Sequence, residues 1–425
     1  MEFTARRSGS STGNPVTRIP VTLLTGFLGA GKTTLLNGLV TQSEMKGAAV
    51  LINEFGEVGI DHHLVETVDE TVVLLDSGCL CCAMHGDLIS TLKELSRKSS
   101  RREIPPVTRV LIETTGLADP VPIVYTLIED AFVAARYCLD GVITAIDATH
   151  GERRIGLQQE ALRQATMADR LLITKCDLAD AQTRASLSRQ LSRLNPSASQ
   201  VEVYGGRVSA DQILNVGLYM LSDKAPDVAA WLGELTAAKT AAASARSHSP
   251  WIRHEPHDDG AAAPTHHDGR VRSFVVTFDQ PVDWQGFVAT MGLILRDHGP
   301  HLLRVKGLMS VAGSEQTPFV VHGVEGVAYP PMRLPEWPSA SPFADRRGRL
   351  VVIGYDVTAA DEAAIREALA NLPRDAAAAR IVAANPLLPT RCWLTHPQAP
   401  APRSLIEVDG WVVQARRFSS KRSAP

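Results

Sequence analysis

The stretch Val21-Thr22-Leu23-Leu24-Thr25-Gly26-Phe27-Leu28-Gly29-Ala30-Gly31-Lys32-Thr33-Thr34 constrains the fold more than any other. An apolar run enters a glycine-rich loop, and Leu35, Leu36, Leu39 and Val40 then recur at the spacing of a helix face. Gly26, Gly31, Lys32 and Thr33 satisfy the phosphate-binding pattern G-x-x-x-x-G-K-[ST] in full. Glycines let successive backbone N–H groups turn inward around phosphate oxygens, and the following helix adds its positive end. Gly26, Gly29, Ala30, Gly31, Lys32, Thr33 and Thr34 are therefore expected to cradle a nucleoside triphosphate. In that arrangement Lys32 reaches the β- and γ-phosphates and the Thr33 hydroxyl takes a place on Mg²⁺. A glycine-rich turn that binds nothing is the bland reading, and the strand–loop–helix context argues against it.

Short apolar runs follow at Ala48–Ile52, Val72–Leu75, Arg109–Ile112, Gly141–Ile146 and Arg170–Ile173, with helical patterns between them. Strands alternating with helices predict an α/β domain, a mostly parallel sheet with helices on both faces. Polar, chemically able residues come directly after each run, so one sheet edge is expected to collect them. Among them Glu113 stands where a P-loop enzyme keeps a magnesium- or water-orienting carboxylate, and Gly116 supplies a mobile N–H. A helix-capping acid is the alternative for Glu113. Thr174-Lys175-Cys176-Asp177 after the last run fits a guanine-reading loop. The Asp177 carboxylate can accept from guanine N1–H and N2–H₂, a donor pair adenine lacks, which predicts GTP over ATP.

The chain has 425 residues, room for two or three domains, and its net charge of −3 gives no support to nucleic-acid binding. No apolar run approaches the roughly 20 residues of a membrane span. Six cysteines, three of them within Cys79-Leu80-Cys81-Cys82, argue against a disulfide framework and for a reduced, cytoplasmic setting. Residues 1–19 lack the apolar core of a secretory signal and read as a disordered tail, with a transit peptide as the alternative because the segment carries arginines and one acid. The nucleotide domain is expected over 20–222. A helix and a flexible linker fill 223–270, and a smaller α+β domain with an antiparallel sheet covers 271–357. The remainder, 358–425, reads as an extension with an amphipathic helix and a hairpin around Asp409-Gly410. Five linker histidines (His248, His254, His257, His266, His267) suit either weak collection of divalent ions or an incidental connector.

Three thiolates in four positions converge only around something small, and soft sulfur selects zinc, copper(I) or a similar ion. Redox chemistry and buried structural cysteine are the competing uses. The turn Asp76-Ser77-Gly78 before them favours a loop.

Four ordered segments carry a resemblance: Thr25–Thr34, Asn53–Asp61, Gly78–Cys82 and Glu113–Pro120. Together they closely resemble the CobW-type P-loop GTPases, relatives of the nickel-insertion GTPases of urease and hydrogenase. The likeness is strong over about 20–220 and looser over 271–357. It implies a GTP-dependent metallochaperone or metalloenzyme activator that binds zinc or cobalt and delivers it to a client metalloprotein. It also implies that Asn53–Asp61 is a switch coupling nucleotide to metal, and that Glu57 and His150 join Cys79, Cys81 and Cys82 around the transported ion. Ile52 stands where some relatives carry a further acidic ligand. Thr174 replaces the commoner Asn of the guanine loop, with a hydroxyl that can still support it. Turnover is expected to be slow, because no arginine is obviously placed as a finger in cis, and the chain is expected to be a monomer or weak homo-oligomer. The alternative is a GTPase switch with structural or redox-active cysteines that acts through partner binding.

Overall fold

The computed structural model describes residues 18–52, 73–76, 86–216, 270–324, 326–338, 343–385, 387–390, 392–395, 407–408 and 411–412. The first unit runs β1 (Ile19–Thr25), α1 (Lys32–Val40), β2 (Ala48–Ile52), β3 (Val73–Asp76), α2 (Gly86–Ser100), β4 (Arg109–Glu113), α3 (Val121–Glu129), α4 (Ala131–Arg136) and β5 (Tyr137–Asp147). It continues through α5 (Gly151–Leu157), α6 (Gln159–Met167), β6 (Arg170–Thr174), α7 (Ala181–Leu194) and β7 (Ser199–Glu202). The strands pair in the order β3-β2-β4-β1-β5-β6-β7, all parallel. Central β1 is buried on both faces, which explains its unbroken apolar run. Val21 and Leu23 join one core layer and Leu24 the other, as alternation along a strand requires.

Four strands end one residue later than expected, at Asp76, Glu113, Asp147 and Thr174. Glu113, Asp147 and Thr174 are the last residues of their strands and are buried, rather than lying beyond them. Their backbones stay in the parallel ladder, Leu24 opposite Glu113 and Asp147 opposite Thr174, so the polar side chain enters the site from a fixed strand end. β5 also begins at Tyr137 rather than Gly141. Asp140 interrupts its apolar run, and the register with β1 shifts there between Val21 and Thr22. One oxygen of the buried carboxylate, Oδ2, accepts from the Thr22 hydroxyl at 2.8 Å and the Asn215 N–H at 2.9 Å. Edge strand β7 reads Ser-Gln-Val-Glu, too polar for an apolar-run criterion to detect.

The second unit comprises β8 (Val271–Phe278), α8 (Trp284–His298), β9 (Leu302–Met309), β10 (Phe319–Val324), β11 (Val327–Ala328), β12 (Met332–Arg333) and β13 (Gly348–Tyr355). Then come α9 (Ala359–Ala370), α10 (Asp375–Ala384) and α11 (Cys392–Thr395). The sheet is antiparallel, ordered β11-β10-β9-β13-β8 with β12 on β10. Residues beyond 357 contribute to its core: Ile365, Leu369 and Trp393 share one apolar cluster with Trp284, Phe287 and Phe319. Thr358 and Asp361 form a reciprocal cap that starts α9. Glu407–Val408 pairs with Trp411–Val412, the strands of the expected hairpin. The two units are packed together, since Val324 and Tyr329 lie in the same apolar cluster as Val21, Tyr137 and Met167. The expected linker, Asp223–Gly269, lies outside the described residues.

Candidate nucleotide site

β1 delivers the chain into the phosphate loop at its carboxyl end. Gly26 sits at φ 140°, and a Cβ there would stand 2.3 Å from the Ala145 carbonyl oxygen, so only glycine fits. The Ala30 N–H donates to the Phe27 carbonyl at 3.0 Å and closes the loop. Gly31 is the N-cap of α1, which has no side-chain cap and no acid in its first turn. The first N–H groups of α1 are thus turned to the loop rather than to a capping side chain, the arrangement that receives an anion. Lys32, 8% exposed, opens the helix. Its neighbour Thr33 donates through Oγ1 to Glu113 Oε1 at 3.0 Å.

Glu113 is 1% exposed, and the strand end that bears it is stitched to β1. The Thr114 N–H donates to the Leu24 carbonyl at 3.0 Å, and the Thr114 hydroxyl donates to Thr25 Oγ1 at 2.8 Å. Hydroxyl and carboxylate converge at the helix N-terminus, a hard oxygen pair suited to Mg²⁺ beside phosphate. The next segment lies directly on the phosphate loop: a Cβ on Gly116 would meet the Leu28 nitrogen at 2.5 Å.

β6 supplies the third wall. The Thr174 hydroxyl donates to the Ala30 carbonyl at 2.7 Å, so the residue that replaces Asn does support the loop. Lys175, at φ 55°, donates through Nζ to the Gly29 carbonyl at 2.7 Å and to Asp147 Oδ2 at 3.0 Å. Burial pushes the Asp147 carboxyl up, but the Thr149 hydroxyl and the Lys175 ammonium outweigh it and hold the group down at about 2. Asp177 is exposed, and its Oδ1 accepts the Gly205 N–H at 2.9 Å, which lowers its pKa. Its loop and the 205–206 turn therefore face each other at the end of β6.

Lys32, Thr33, Glu113, Gly116, Thr174, Lys175 and Asp177 thus share one sheet edge. Two contacts there had no sequence signal. Arg154 of α5 donates through Nη1 to the Leu28 carbonyl at 2.7 Å and lies 5.5 Å from the Phe27 ring centroid. Gln164 of α6 holds the backbone of the segment after Glu113. The helical spacing of Arg154 and Gln164 is that of ordinary helix residues. His150 is 62% exposed, with Nδ1 2.6 Å from the Thr149 hydroxyl and 3.5 Å from Asp147 Oδ2. Among the described residues no three His, Cys, Asp or Glu side chains cluster as a metal site. Cys79, Cys81, Cys82 and Glu57 lie outside those residues.

Comparison with known proteins agrees with this geometry. Residues 20–202 match the family model "CobW/HypB/UreG, nucleotide-binding domain", and residues 271–372 match "Cobalamin synthesis protein cobW C-terminal domain". The chain is 32% identical over 307 residues to the zinc chaperone YjiA of Escherichia coli, covering 72% of this chain and 86% of that protein. It is 28% identical over 387 residues to the zinc chaperone CobW of Sinorhizobium sp, covering 84% and 97%. The crystal structure of Zn(II)-bound YjiA GTPase from E. coli superposes with a TM-score of 0.59 at 27% identity, over 84% of this chain and 99% of that one. A complete phosphate loop, a paired Thr33 and Glu113, and both matched domains in sequence order lead to one assignment: the chain belongs to the CobW/HypB/UreG family of P-loop GTPases.

Proposed function

We propose that this protein hydrolyses GTP slowly and uses the cycle to bind zinc, or cobalt, at Cys79, Cys81 and Cys82 and deliver it to a client metalloprotein. The observation that carries the nucleotide half is the convergence of the phosphate loop, Glu113 and the Thr174–Asp177 loop on one edge. The metal half rests on the thiolate cluster and on relatives named zinc chaperones.

In this reading Gly26–Thr34 bind the phosphates, and Lys32 with the first turn of α1 meets the charge that grows on the β- and γ-oxygens. Thr33 and Glu113 would hold Mg²⁺, which neutralises phosphate charge when bound. Gly116 offers its N–H to the γ-phosphate side. Lys175, already fixed on Gly29, packs beside the base, and Asp177 selects guanine. Glu57 and His150 complete the cargo site with the thiolates.

Two measurements test this. GTP should outcompete ATP, and Asp177→Ala should weaken GTP binding by about 1–3 kcal/mol, the scale of a charged acceptor lost. Equal affinity for GTP and ATP would sink the guanine assignment. Zinc titrated into the protein holding a non-hydrolysable GTP analogue should bind more tightly than into the GDP form, by about 1–3 kcal/mol of coupling. It should also release protons, because thiolates must ionise to bind. Cys81→Ser should remove most of the zinc affinity and leave GTP binding unchanged. Identical zinc affinity in both nucleotide states would instead favour a GTPase switch whose cysteines are structural or redox-active.

A further inference from the structure

α6 touches both units of the molecule. On the side of the phosphate loop, the fully buried Gln164 donates through Nε2 to the Gly116 carbonyl at 3.2 Å and the Ala118 carbonyl at 2.9 Å. Its neighbour Arg163 donates to Asp119 Oδ2 at 2.8 Å. Two consecutive helix residues therefore grip the segment 116–119, which packs against Leu28 of the phosphate loop.

The C-terminal end of α6 is held just as firmly. The last carbonyls of a helix have no intrahelical partner and must find one elsewhere. Here Asn195 Nδ2 donates to the carbonyls of Ala165 at 3.0 Å, Thr166 at 3.0 Å and Ala168 at 2.9 Å. The Met167 carbonyl between them accepts from Arg304, a residue of β9 in the second unit. Two residues further on, Asp169 accepts the Val142 N–H at 2.9 Å on Oδ2. Its Oδ1 meets Arg304 Nη2 at 2.5 Å and Lys306 Nζ at 2.9 Å. Arg304 and Lys306 stand two apart on β9 and so share one face of the sheet. Opposite Lys306 in the ladder is His322, whose ring stacks on Tyr329 at 4.1 Å. All five of these side chains are 3% exposed or less.

A buried ion cluster of this kind resists partial opening, because separating the charges leaves each one desolvated. Gln164 and Met167 are less than one turn apart in the last part of α6, so the helix carries a shift at Gln164 to Met167 as a rigid body. We propose that Gln164 is a positioning residue for the segment 116–119, and that α6 transmits the nucleotide state of that segment to β9 and β10 through the Asp169–Arg304–Lys306 cluster. The inference rests on the nucleotide reading above. It goes beyond it by naming the route by which the second unit responds to the nucleotide.

Backbone hydrogen exchange on the full chain, with GDP and with a non-hydrolysable GTP analogue, tests the route. In the wild type, exchange at 302–309 and 319–324 should differ between the two nucleotides. Gln164→Met keeps the side-chain volume and removes the donor. It should abolish that difference and lower kcat about tenfold with KM unchanged, the signature of lost orientation rather than lost binding. Arg304→Met leaves Asp169 paired with Lys306. It should keep the nucleotide response at 116–119 and lose it at 302–309. A second unit that exchanges alike in both states, or a response that persists in Gln164→Met, overturns the proposal. Failure of the wild type to bind either nucleotide overturns the underlying reading and this route with it.

Discussion

Lys32→Ala is expected to abolish GTP hydrolysis while the chain stays folded. α1 is anchored by Leu35, Leu36, Leu39 and Val40, which lie in one apolar layer with Leu24 and Ile143, and Lys32 is not part of it. Truncating Lys32 therefore opens no cavity in that layer, and Gly31 still starts the helix. The ammonium, by contrast, is the charge closest in sequence to the first-turn N–H groups, which in the proposed reading face phosphate. Losing one preorganised group at a developing charge costs about 10²–10³ in kcat. Phosphate release under saturating GTP, read beside the thermal midpoint of the same preparation, checks both halves. A variant that hydrolyses GTP at the wild-type rate would place catalysis somewhere other than this loop.

That the phosphate loop, Glu113 and the Thr174–Asp177 loop share one edge is largely legible in the sequence, because the signals are local. A phosphate loop packs its glycines, lysine and hydroxyl into consecutive positions, and apolar runs mark the strands that present them. Thr174 could be trusted as a stand-in for Asn because its role needs only a hydroxyl near the Ala30 carbonyl. An apolar-run criterion sets the strand ends one residue short, because it stops where a polar side chain begins although the ladder continues. Asp140 hid the first half of β5 for a similar reason: a buried acid looks like a break until the Thr22 hydroxyl and the Asn215 N–H appear beside it. The core contribution of Ile365, Leu369 and Trp393 was hidden by distance in sequence. Arg154 and Gln164 act on backbone carbonyls of segments far away in the chain, and no pattern in their own helices announces it.

The contact between the two units was the least legible part, and it carries the second large effect. Asp169→Asn is expected to destabilise the protein by about 3–5 kcal/mol, the cost of removing one partner from a buried charge cluster. The amide keeps an acceptor for the Val142 N–H, so the backbone arrangement survives and the change isolates the charge. Arg304 and Lys306 would then face each other, buried, with no counter-charge on Asp169. Lys306→Met should behave in the opposite way. It leaves one carboxylate against one guanidinium and removes the second cation, so its stability should equal or exceed that of the wild type at neutral pH.

The pH dependence separates the two cases. Burial, and then the neighbouring Arg304, push Lys306 down to about 7, although Asp169 opposes the change. In the unfolded chain Lys306 titrates near 10.5, so between those values the unfolded state binds the extra proton. Stability must therefore rise with pH across that window, by up to about 1.4 kcal/mol per unit. His322 is pushed well below 6.5, by burial first and then by Arg304. It extends the same sign to lower pH, because there too only the unfolded chain takes up the proton. Lys306→Met should remove the rise above neutrality and leave the part below it. Denaturant midpoints of the wild type and both variants, measured from pH 6 to 9, decide the matter. An Asp169→Asn protein that unfolds with the wild type would mean that Asp169 does not hold the two units together, and a Lys306→Met protein with an unchanged alkaline slope would mean that Lys306 is not the group that titrates there.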